Sequence, residues 1–137
     1  MTGVLLLVCL LASSAGQEIL EGEASRFAQA WETGEMGDLQ RVMAEEGIRL
    51  HLPGEEHVLI RPRQAGAAIS AFLARYPGGS ATVTRASLTG GDPEKGFAEI
   101  RWETGSPGVE EPVTFTLFVA FASNGESWSV SEIRVLF

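Results

Sequence analysis

The sequence predicts an α+β fold in which three helices of the N-terminal half pack in a curved, mostly antiparallel sheet. Three observations predict it. Two segments, Glu18 to Thr33 and Ala65 to Tyr76, repeat apolar side chains at three-and-four spacing. From Ser80 onward the pattern switches to two-residue alternation broken by turn signals. The dipeptide Asn124-Gly125 marks a tight hairpin between two of those strands, of type I′ because both turn residues then take positive φ.

Ahead of the first helix, Val4 to Leu11 (VLLLVCLL) is an apolar run followed by Ala12-Ser13-Ser14-Ala15-Gly16, in which Ser13 and Ala15 meet the small-x-small requirement of a signal peptidase. Residues 1–15 therefore read as a secretory leader and 16–137 as one domain, secreted or periplasmic. The run falls well short of the roughly 20 apolar residues of a membrane span. Its start, Met1-Thr2-Gly3, offers only the terminal amine as positive charge, which keeps a buried first strand as the alternative. Cys9 follows Val8 inside the apolar run, unlike the acylated thiol of a lipoprotein, so a lipid anchor is rejected.

The chain has 137 residues, 18 acidic against 10 basic, and a formal charge of −8. Residues 1–17 carry no charged side chain, so the whole excess falls on the domain. That balance argues against nucleic acid and against an anionic membrane as partners once the leader is removed. The single cysteine lies in the leader, so no disulfide framework exists and the domain must be held by its own core.

In chain order, Leu20, Ala24, Phe27, Ala28 and Trp31 make the apolar face of the first helix, and Gly34 caps it. Asp38 is expected to N-cap a short second helix with Leu39, Val42 and Met43 as its stripe, closed by Gly47. "GIRLHL" places Ile48, Leu50 and Leu52 on one strand face and Arg49 with His51 on the other; "PGEE" turns into "HVLIR". Pro62 starts the third helix, carried by Ala65, Ala68, Ile69, Phe72, Leu73 and Tyr76 and ended by Pro77-Gly78-Gly79. A meander follows: "SATVTRASL", the turn "TGGDPEKG", "FAEIRWET", the turn "GSPGVEEP", "VTFTLFVAFA", Asn124-Gly125 and the last strand. There Trp128 and Val130 share one parity and Ile133, Val135 and Phe137 the other; a β-bulge at Ser131-Glu132 would keep all five on one face and bend the sheet.

"FAQAWETGEMGDLQRVMAEEGIRLHLPG", "RPRQAGAAISAFLARY" and "GESWSVSEIRVLF" together resemble the opening, third helix and final strand of the nuclear-transport-factor-2-like superfamily, also called the cystatin-like α+β cone. The leader and the Arg-Gln-Ala entry to helix three resemble its uncharacterised secreted bacterial members. The resemblance implies a curved sheet wrapped around the helices, with a conical pocket used in relatives for isomerisation, cyclisation or dehydration, or left filled. It also implies dimerisation through the outer face of the sheet in many members.

An isomerase of this fold needs a carboxylate base and an oxyanion partner. The only aspartates are Asp38, read as a cap, and Asp92, in a turn, while the early strand offers Arg49 and His51 instead. The spacing of His51, Glu55, Glu56 and His57 matches no zinc pattern. No Gly-x-Ser-x-Gly elbow occurs, and Gly78-Gly79 and Gly90-Gly91 precede no helix that could hold phosphate. No cofactor is called for. The strand Val113 to Ala122 is apolar on one face, and Phe118, Ala120 and Ala122 leave the other only partly polar; such a strand is usually covered on both sides, here by a second subunit or by a helix or strand. Trp31, Arg49, His51, Phe72, Tyr76, Trp102 and Trp128 are the pocket candidates. The expected function is a non-catalytic binding or accessory domain, taking a small apolar molecule in the pocket or a protein on the sheet; the alternative is a divergent pocket enzyme built on His51, Arg49 and Tyr76.

Overall fold

A computed structural model describes residues 2–106 and 108–137, with side chains described for 15–105, 108 and 110–137. The elements are α1 (Thr2–Thr33), α2 (Met36–Val42), β1 (Ile48–Leu52), β2 (Glu55–Ile60), α3 (Pro62–Leu73), β3 (Ser80–Gly90), β4 (Lys95–Ser106), β5 (Val109–Ser123) and β6 (Trp128–Leu136). The strands form one six-stranded sheet in the order β2-β1-β6-β5-β4-β3, antiparallel except for the parallel pair β1 and β6. The fold is thus α+β with a mixed sheet, and its helices cover one face, hereafter the inner face. Among the described residues no helix is long and apolar enough to cross a membrane.

The first helix runs from Thr2 without a break at residue 15, so the apolar run Val4 to Leu11 is helical and the alternative of a first strand fails. Its end is a Schellman turn: Glu35 N–H donates to Ala30 C=O at 2.9 Å and Gly34 N–H to Trp31 C=O at 3.3 Å, with Gly34 at φ +73°. Because that turn feeds directly into α2, the N-cap is Glu35 and not Asp38, and Glu35 makes no side-chain cap bond. Asp38 lies inside the first turn and pairs with Arg41 at 2.5 Å, where its charge still suits the positive helix end. Met43 leaves the helix in an extended conformation and bridges Val130, so Gly47 closes the turn after α2 and not the helix itself.

The hairpin turn is confined to Pro53-Gly54, and Glu55 and Glu56 already pair with Leu52 and His51. Pro62 takes the first turn of α3, where its missing N–H costs nothing. Tyr76 lies beyond the helix, in the turn that leads to Gly79. Gly79 is obligatory: it sits at φ +104°, and a Cβ there would lie 2.0 Å from the carbonyl oxygen of Glu103. The segment read as the turn "GSPGVEEP" is mostly strand, with Ser106 opposite Val109.

Asn124-Gly125 does not form a type I′ turn. Asn124 keeps negative φ, and Ser123 pairs with Trp128 across a four-residue loop. The Asn124 side chain decides this, its Oδ1 accepting from the N–H groups of Glu126 at 3.0 Å and Ser127 at 2.8 Å. The expected bulge is present: Ala120 pairs with Glu132 and Phe121 with Val130, leaving Ser131 unpaired. It puts Val130, Ile133 and Val135 into the core together, with Trp128 half-buried beside them. Phe137 departs from the expectation: at the chain end it is 79% exposed, although its ring rests 4.8 Å from that of Phe115.

Candidate functional site

The inner face is filled with aromatic rings contributed by both layers. Trp31 of α1 meets Trp102 of β4 edge to face at 5.6 Å, and Trp102 stacks on Phe115 of β5 at 5.0 Å. Phe72 of α3 contacts both rings, at 5.9 and 5.7 Å, and Tyr76 leans on Phe115 at 5.0 Å and on Trp102 at 6.1 Å. Trp31, Phe72, Trp102 and Phe115 are fully buried. Offset and edge contacts of this kind add to the area they bury, so the cluster is first a structural core.

At its edge one cavity of about 160 Å³ remains, lined by Trp31, Glu32, Thr33, Gly34, Leu73, Tyr76, Pro77, Gly78 and Trp102. The Schellman turn of α1 forms one wall, and the turn after α3 forms the other. Thr104, the only buried polar side chain among the described residues, fixes the second wall through its hydroxyl, which is 2.8 Å from the Tyr76 carbonyl and 2.9 Å from that of Gly78. Glu32 is committed, its carboxylate accepting the Ala81 N–H at 2.8 Å. The Trp31 Nε1–H is buried without a hydrogen-bond partner among the described residues. An orphaned donor of this kind carries a desolvation cost of about 1–3 kcal/mol.

Of the residues expected at the pocket, Trp31, Tyr76 and Trp102 meet there; Phe72 lies behind them in the core. Trp128 stands at the far end of β6 and does not line the cavity. Arg49 and His51 lie on the outer face, because Ile48, Leu50 and Leu52 take the inner one. They face Glu132 and Arg134 across the β1/β6 pairing, and His51 Nδ1, otherwise unpartnered, is 3.8 Å from Glu56. The sheet therefore separates Arg49 and His51 from Tyr76, and the trio considered for an enzyme is not assembled. His57 pairs with Glu55 at 2.8 Å, apart from His51, and no group of three metal-ligating side chains occurs among the described residues.

The sequence reading missed a larger open groove of about 710 Å³ between α1 and α2, floored by Phe27, Ala30, Leu39, Val42 and Phe121. Four of its flanking charges are already paired, Arg26 with Glu23 at 2.6 Å and Arg41 with Asp38, and Gln29, Thr33 and Glu35 complete its rim. It also missed Thr104, whose burial is legible only as strand parity with Ala98, Ile100 and Trp102.

No family model matches the chain, and no curated protein matches it in sequence. Solved structures do. The Kfla4162 protein from Kribbella flavida is similar over 90% of this chain and 91% of its own, with TM-score 0.72 and 15% identity. A protein with a ketosteroid isomerase-like fold from Catenulispora acidiphila, in complex with trimethylamine, covers 83% of each chain, with TM-score 0.65 and 15% identity. An uncharacterised cystatin-fold protein from Novosphingobium aromaticivorans covers 83% of this chain and 94% of its own, with TM-score 0.60 and 14% identity. The chain has the nuclear-transport-factor-2-like, or cystatin-like, fold.

Proposed function

We propose that the chain is a binding domain whose curved sheet and helices form a cone plugged by aromatic rings, with a small ligand held at the remaining mouth. The observation that carries this is the unpartnered Trp31 Nε1–H on one of three aromatic residues that line the cavity. At about 160 Å³ the cavity matches the roughly 150 Å³ that takes up benzene and falls below the roughly 300 Å³ at which ordinary ligand pockets begin. The ligand is therefore no larger than one substituted ring, apolar in body, with one acceptor for Trp31. The trimethylamine held by the Catenulispora protein is smaller than that limit. Binding, not turnover, is the role we assign, since the nearest carboxylate, Glu32, is already engaged by the main chain.

A second reading concerns the outer face, which we propose pairs with a second copy of the chain. Phe97, Phe118, Ala120 and Ala122 form a half-buried apolar centre there. Arg49, Arg85, Arg101 and Arg134 alternate around it with Glu99, Glu103 and Glu132, a near balance on a chain of formal charge −8. A two-fold contact sets the same patch against itself, and a patch of mixed charge avoids the like-charge repulsion that a patch of one sign would meet. We place the protein outside the cytoplasm, on the leader reading of residues 1–15. Native mass spectrometry of protein purified from its own host tests both assignments at once. A dimer retaining a ligand of single-ring size is expected; a retained steroid-sized ligand overturns the first assignment, and a monomer at micromolar concentration overturns the second.

A further inference from the structure

Helix α1 carries its charges as a helix starting near residue 16 would: residues 2–17 hold none, and Glu18 and Glu21 follow at once, where acidic groups favour a helix start. Among the residues whose side chains are described, α1 meets the sheet from Gly16 and Gln17 onward. The Gln17 side chain behaves like a short strand against the edge strand β3, Nε2 donating to the Ala86 carbonyl at 2.5 Å and Oε1 accepting the Leu88 N–H at 3.4 Å. Leu20 is fully buried one turn on, against Gly96, where a Cβ would lie 2.7 Å from its Cδ2. A Cβ on Gly16 would lie 3.4 Å from Leu88 Cδ1 and 3.8 Å from Glu94 Oε1. The Glu94 carboxylate is in no ion pair among the described residues, while its main chain is held by the Ser123 N–H at 2.8 Å.

We infer that the Ala15–Gly16 bond is a processing site and that the domain contains a seat for the end it creates. This rests on the leader reading of residues 1–15. A leader peptidase adds water across the bond, leaving a carboxylate on Ala15 and an ammonium on Gly16. That ammonium pairs with Glu94, and Gln17 holds the shortened helix on β3. A chain beginning elsewhere has no terminal charge at this carboxylate.

The test is secretion of the full-length chain from a bacterial host, with N-terminal sequencing and intact mass of the product, followed by NMR titration of the terminal amine in the mature protein and in E94Q. The expected product begins at Gly16, and its amine titrates above the ordinary range in the wild type and returns toward it in E94Q. In mature Q17A the Leu88 amide is expected to exchange about three- to tenfold faster, the loss of one net hydrogen bond. A product that retains residues 1–15, or begins at another residue, overturns the processing site. A product that begins at Gly16 but whose amine titrates identically in E94Q overturns the seat and leaves the processing site standing.

Discussion

The two faces of β5 differ less in composition than in what lies on them. Phe115, Leu117, Val119 and Phe121 point inward and are buried beneath helices and rings; Thr116, Phe118, Ala120 and Ala122 point outward, half-buried with no helix above them among the described residues. Both faces carry a phenylalanine at their centre, yet Phe115 touches four other rings while Phe118 lies between Glu99 and Arg134 of its neighbouring strands. Side-chain chemistry thus places a residue on a strand, whereas the crossing of α1 and α3 decides which face becomes core. The inner face spends most of its space on packing and leaves a small cavity at one edge and an open groove between α1 and α2. The outer face leaves its apolar centre open inside a ring of balanced charge.

Removing Ser131 should separate the faces most severely. Without the bulged residue, Ile133 and Val135 cannot share a side with Val130, and losing the burial of two aliphatic side chains costs about 3–6 kcal/mol; urea unfolding should show a protein that is barely folded. Trp102→Ala opens the centre of the inner cluster and should cost about 3–5 kcal/mol by the same measurement. Thr104→Val keeps the shape but withdraws a hydroxyl from the Tyr76 and Gly78 carbonyls, for about 1–3 kcal/mol, and it should loosen the cavity wall, seen as faster amide exchange at Tyr76, Gly78 and Gly79. The outer-face counterpart, Phe118→Ala, should lower the stability of the isolated subunit by less than about 1 kcal/mol. In a dimer built on that face it should weaken association by about 30-fold or more, as for a central anchor, measured by analytical ultracentrifugation. If Phe118→Ala proves as destabilising to a monomer as Trp102→Ala, the contrast between the faces is wrong.

Much of this contrast is legible in the sequence. Period-two alternation from Ile48 to Leu52 and from Val113 to Phe121 marks the inner residues, and the parity slip after Val130 marks the bulge, because only a burial requirement makes such a slip intelligible. Local side-chain chemistry is harder to read. Asp38 is as good a cap residue as any, but the preceding Schellman turn had already fixed where α2 begins; Asn124 suits positive φ, but its side chain finds two N–H donors in a longer loop. The cavity was legible only in part. Trp31, Tyr76 and Trp102 fall on core faces by spacing, whereas the walls are the turns at Gly34 and Pro77-Gly78, and no periodicity says that two turns from distant segments will face each other. Arg49 and His51 were candidates because they are chemically capable, and the same alternation that buries Leu50 sends them to the other side.

The most direct test of the account is the indole N–H resonance of Trp31 during titration with single-ring carbonyl compounds such as benzaldehyde and acetophenone. A saturable downfield shift of that resonance is expected as its unpaired donor gains an acceptor, with no such shift for a steroid ketone too large for the cavity. A Trp31 resonance that ignores every single-ring acceptor, or that responds to the steroid, would contradict it.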